Sequence, residues 1–116
     1  EFLVMAKVVA LITSTPSNEV IKVNQRKLDG VLKAKGVRFE EVDGLLPENK
    51  ELRSKLFDLS NLRGKYPQVF IEDGGEYEFV GDWDAFEAMV ENDTVSETTA
   101  RMQGIKTFSS VFSKCM

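Results

Sequence analysis

Histidine is absent from this chain of 116 residues, and cysteine occurs once, as Cys115. Without histidine no side chain has an ordinary pKa near neutrality, so imidazole acid–base chemistry is excluded. With one thiol there is no intramolecular disulfide and no thiol pair for disulfide exchange. The two scarcities together remove the usual zinc and copper ligands, so no metal site is expected. Long apolar runs are missing too. The longest, Val8-Val9-Ala10-Leu11-Ile12, falls far short of the roughly 20 residues that cross a bilayer, so no membrane insertion is expected. No secretory leader pattern is visible, and a lone cysteine fits a reducing compartment, so a cytoplasmic location is expected. Positive charge is not in excess: 15 Lys and Arg against 19 Asp and Glu leave a net charge of −4. Nucleic acid and anionic membrane both select basic patches, so neither is expected as a partner.

What is present suits one small domain with its own core. Glu1-Phe2-Leu3-Val4, ahead of Met5, reads as a vector-derived scar over residues 1–4, with the natural start at Met5. Residues 7–12 are apolar on both faces, the mark of a central strand. The turn-rich stretch Thr13-Ser14-Thr15-Pro16-Ser17-Asn18 follows, and Ser17 or Asn18 can cap the next helix. Ile21, Leu28, Val31 and Leu32 place that helix over 19–35, with Gly36 at its C-terminal cap. Residues 37–42 read as a second strand. Leu52, Leu56, Leu59 and Leu62 predict a helix over 48–62, with Pro47 in its first turn. Residues 68–71 and 76–80 read as strands joined at Asp73-Gly74-Gly75, a hairpin signal. Asp82 or its neighbour then caps a helix to about Asn92.

The order β-α-β-α-β-β-α predicts one four-stranded mixed sheet flanked by helices. Residues 94–116 carry Met102, Ile105, Phe108 and Phe112 at helical spacing. They predict an additional amphipathic helix, capped by Ser96, docked on the chain itself, on a second copy in a homodimer, or on a partner protein. Cys115 reads as an incidental thiol near a frayed end. Glu40-Glu41 and the group Asp73, Glu76 and Glu78 read as solvated charge, since their spacing fits no calcium loop.

Two segments carry a resemblance over residues 5–93. Lys65-Tyr66-Pro67-Gln68-Val69-Phe70-Ile71 resembles the glutaredoxin stretch in which a cis proline precedes the third strand. Phe79-Val80-Gly81-Asp82-Trp83-Asp84-Ala85-Phe86 resembles the glutaredoxin turn from the fourth strand into the last helix. The resemblance implies a thioredoxin-like α/β fold, with residues 94–116 as an extension. In glutaredoxins the loop after the first strand carries Cys-Pro-x-Cys or a one-cysteine version. Thr15-Pro16-Ser17-Asn18 stands there in this chain, keeping the proline and neither thiol. The longer, thiol-free loop followed by Gly-Val-x-Phe-Glu-Glu at 36–41 is similar to the Src-homology-3-binding glutamic-acid-rich-like family, glutaredoxin-like proteins regarded as adaptors or modulators without redox activity. That family's Pro-x-x-Pro ligand and long glutamate-rich tail are not seen here.

The resemblance implies a redox-inactive protein that binds protein partners and has no resident cofactor, glutathione being the ligand its cleft would take. The implied cleft residues are Thr15, Pro16, Ser17, Tyr66, Pro67, Gly81, Asp82 and Asp84. Tyr66 would present its backbone to an extended ligand, and Asp84 is the better positional match for the aspartate that meets the γ-glutamyl end of glutathione. Trp83 is a candidate partner contact, tryptophan being enriched at interface hot spots. Each feature also has a plain reading: a connecting loop, a fold-shaping proline, a helix cap at Asp82, half-buried packing at Trp83. A glutathione-dependent enzyme with Ser14, Thr15 or Ser17 in place of cysteine is the rival reading, and a purely structural subunit a third.

Overall fold

β1 (Lys7–Ile12) runs through the interior of a four-stranded sheet, which is why its sequence shows no polar alternation. The computed structural model describes residues 5–116; the stretch 1–4, read above as a scar, lies outside the described residues. The sheet order is β2-β1-β3-β4, with β2 at Phe39–Asp43, β3 at Gln68–Asp73 and β4 at Glu76–Asp82. β1 and β2 are parallel, and β1–β3 and β3–β4 are antiparallel, giving the expected mixed sheet. α1 (Glu19–Lys35) makes the crossover between the parallel strands. Its N-terminus is capped by Asn18, whose Oδ1 accepts from the Ile21 N–H at 2.9 Å.

Side chains alternate between two apolar layers. On one side Val8, Ala10, Val69 and Ile71 meet Leu28 and Leu32 of α1 and Phe86 and Met89 of α3 (Trp83–Asn92). On the other, Val9, Leu11, Val42 and Phe70 meet Leu56 and Phe57 of α2 (Lys50–Ser60). Four elements differ from their expected bounds, β3 and β4 each by running two residues beyond the spans 68–71 and 76–80. β2 begins at Phe39 rather than at Val37, which is buried just ahead of the strand. The helix expected over 48–62 is a 3-10 turn, Pro47–Asn49, followed by α2. Its buried stripe is set by Phe57 beside Leu56, so Leu59 is left exposed.

The segment after α3 holds two short helices in place of one: α4 (Glu97–Gln103) and α5 (Phe108–Phe112). Gly104 takes a left-handed conformation (φ 67°) and ends α4, a geometry that suits a residue without Cβ. Thr107 then starts α5 with a reciprocal capping box to Ser110. The spacing of Met102, Ile105, Phe108 and Phe112 therefore runs across a break and does not describe one face. Met102 is 82% exposed, whereas Phe108 and Phe112 are fully buried against Phe86. The segment docks on the chain's own core.

Cys115 is a fully buried core residue rather than an incidental thiol near a frayed end, and its burial raises its pKa. Arg38 holds this end in place. Its guanidinium donates to the carbonyls of Ala6, Lys114 and Met116 at 3.0, 2.8 and 3.0 Å, and its N–H donates to the Cys115 carbonyl.

Candidate functional site

The end of β1 and the start of β3 lie side by side, Leu11 opposite Gln68, so the loops at 13–18 and 61–67 emerge at one end of the sheet. β4 returns to the same end, with Asp82 opposite Gln68, and delivers α3 there. A cleft of about 630 Å³ opens between α1, the 63–67 segment and the start of α3.

The 13–18 loop is held from below. Gln25 grips Thr13 in both directions: its Oε1 accepts from the Thr13 N–H at 2.9 Å and its Nε2 donates to the Thr13 carbonyl at 3.0 Å. The Asp43 carboxylate accepts from the N–H groups of Ser14 and Leu45, tying this loop to the one that follows β2. Burial alone would raise the Asp43 pKa, but these hydrogen bonds prevail and lower it. The Thr15 N–H is taken by Thr13 Oγ1. Three successive backbone donors are thereby satisfied within the fold.

Of the residues singled out from sequence, Tyr66, Pro67, Asp82, Trp83 and Asp84 are brought together on the cleft wall. The Tyr66–Pro67 bond is cis. Thr15 and Ser17 are exposed and Pro16 half-buried, and none of the three lines the cleft, whose wall on that side begins at Asn18. Gly81 is buried behind the wall. A Cβ there would stand 2.6 Å from the Ala85 Cβ, so its small size lets β4 turn closely into α3. Asp82 caps α3, Oδ1 accepting from the Ala85 N–H at 3.0 Å. Trp83 is half-buried and leans on Phe86, their ring centroids 5.9 Å apart, with part of its surface left to the cleft.

Sequence reasoning passed over the cationic rim. Lys65 Nζ donates to Asp82 Oδ2 at 2.9 Å, joining the segment ahead of Pro67 to the start of α3. The Lys65 ammonium holds the Asp82 carboxyl below its ordinary value, helped by the Ala85 N–H against the opposing effect of burial. Arg63 lines the same wall and lies over the Phe57 ring at 5.6 Å. The available signal was Lys65 itself, two residues before Pro67 inside the quoted segment. Only the β4 return shows that Asp82 is its partner. Tyr66 projects inward, its ring edge-on to Phe57, and burial raises its phenol pKa.

Among the described residues no group of three or more metal-binding side chains converges, and no helix is long and apolar enough to cross a membrane. The wall has polar and aromatic surface for holding a ligand and contains no thiol to react with one.

The β2-β1-β3-β4 mixed sheet between α1 and α3 on one face and α2 on the other defines a thioredoxin-like α/β protein. The family model of the SH3-binding, glutamic acid-rich protein matches residues 6–100, and the chain belongs to that family. No curated protein matches it.

Proposed function

We propose that this chain is a non-catalytic, cytoplasmic binding module, an adaptor or modulator acting through protein contacts, whose cleft beside Pro67 takes glutathione or an extended peptide. The observation that carries the reading is the composition of that wall. It joins the Tyr66–Pro67 backbone, the Lys65–Asp82 pair, Trp83 and Asp84 around an open groove. Disulfide exchange needs an accessible thiolate, and the one thiol lies elsewhere. Cys115 is buried at the opposite end of the sheet, where Arg38 faces the beginning of β1. The enzymatic alternative asks a hydroxyl of Ser14, Thr15 or Ser17 to face a bound thiolate. None of the three lines the cleft, which counts against it.

The family's description adds an SH3 domain as a candidate partner. The prolines of this sequence are Pro16, Pro47 and Pro67, and no two are three apart. An SH3 contact through these residues would therefore use a folded surface rather than a Pro-x-x-Pro segment. Titrating reduced glutathione into the isotope-labelled chain tests the cleft reading. Amide shifts are expected at Lys65, Tyr66, Trp83 and Asp84. Shifts confined to other surfaces, or none at millimolar ligand, would reject it.

A further inference from the structure

Gln68 is the first residue of β3 and is fully buried. Its backbone is fixed on both sides, opposite Leu11 in β1 and Asp82 in β4. Its carboxamide runs to the segment after α2. There Nε2 donates to the Leu62 carbonyl at 2.7 Å and to the Lys65 carbonyl at 2.8 Å. The amide cannot be reversed without setting its oxygen against both carbonyls, so the donor pair is the only favourable orientation. In that orientation Oε1 is left buried with no hydrogen-bond partner among the described residues. An unpaired buried acceptor is costly, so the two donated bonds must offset that cost as well as their own desolvation. The backbone they hold is otherwise outward-facing: Arg63, Gly64 and Lys65 are all exposed.

We propose that Gln68 is the positioning residue of the cleft: its two hydrogen bonds fix the backbone between Leu62 and Lys65 and so place Lys65 to reach Asp82. The chain of contacts closes on itself. Gln68 lies opposite Asp82 in the ladder, its side chain holds the Lys65 backbone, and the Lys65 side chain returns to Asp82. The cis Tyr66–Pro67 unit is held between these points. Placement of the loop follows from these contacts alone; its consequence for ligand affinity rests on the cleft reading above.

Gln68→Met keeps the length and removes both donors. Two measurements on the full chain are compared, amide hydrogen exchange and the shift titration with reduced glutathione. Exchange at Lys65, whose N–H is bonded to the Leu62 carbonyl, should accelerate about tenfold, the effect of losing roughly one net hydrogen bond. Exchange in β1 should be unchanged, and glutathione affinity should fall several-fold. Equal acceleration in β1 and at Lys65 would mean a purely structural role, and an unaltered Lys65 would mean none; either overturns the proposal. If the parent chain fails to bind glutathione, the cleft reading falls while exchange at Lys65 still decides the role of Gln68. If the variant does not fold, the parent decides it: the Gln68 side-chain amide protons should exchange as slowly as core backbone amides, and exchange at the rate of a free carboxamide overturns the proposal.

Discussion

Tyr66 lies so close to Gly44 that a Cβ on Gly44 would stand 2.6 Å from the Tyr66 hydroxyl oxygen. The same Cβ would meet Tyr66 Cε1 at 3.2 Å and Arg53 Cδ at 3.3 Å, while Arg53 is itself tied to the Gly44 carbonyl at 2.8 Å. The turn after β2 is thus packed directly against the side chain that precedes Pro67. Gly44→Ala should displace the Tyr66 ring and destabilise the chain by about 1–3 kcal/mol, the usual range for overpacking. Urea denaturation measures the loss, and amide shifts at Tyr66 report the displacement. Unchanged stability with an unmoved Tyr66 would contradict the contact.

The C-terminal segment makes a paired prediction. Phe112 is fully buried against Phe86 and Phe108, so Phe112→Ala should cost about 3–5 kcal/mol. Met102, from the same sequence stripe, is 82% exposed, and Met102→Ala should stay within about 0.5 kcal/mol of the parent. Equal effects of the two substitutions would restore the single-faced helix that the spacing predicts.

Asp93 joins three elements. Its carboxylate accepts from the Ser109 N–H at 2.9 Å and hydroxyl at 3.1 Å in α5, and from Lys35 Nζ of α1 at 3.1 Å. Burial alone would raise its pKa, but these donors prevail and lower it. Below the unfolded value of about 3.9 the unfolded chain then binds more protons than the folded one. The stabilisation is complete above that value and is lost as the pH falls through the folded pKa. Asp93→Asn should therefore be less stable than the parent at pH 7, with the gap narrowing as the pH is lowered towards 3. Urea midpoints at several pH values check this, and a gap that widens on acidification refutes it.

No thiol–disulfide turnover is expected of this chain. A glutathione-coupled disulfide reduction assay should read at the level of buffer. Cys115→Ser should leave that reading unchanged, because a buried thiol with a raised pKa supplies little thiolate. Turnover above buffer that survives the substitution would overturn the non-catalytic reading.

Local chemistry was legible wherever neighbouring residues decide the outcome. α1 spans 19–35 and the hairpin turns at Gly74-Gly75, as the sequence places them, while the structure selects Asn18 over Ser17 as the cap of α1 and Asp82 over its neighbour as the cap of α3. The two-sided burial of β1 was equally readable, because an unbroken apolar run has few other uses. Periodicity failed where a backbone turn interrupts the count. Gly104 divides the last stripe, so Phe108 and Phe112 are core and Met102 is not. Leu59 is exposed and Phe57, outside the expected stripe, is buried because the phase of α2 is set by the sheet beneath it. The cleft belongs to tertiary structure. Lys65 and Asp82 are 17 residues apart and meet because β4 returns antiparallel to β3. Gln68 reads in sequence only as the first residue of a short strand. Sheet pairing on both sides and a loop overhead make it a buried donor, an arrangement of residues distant along the chain that no local pattern encodes.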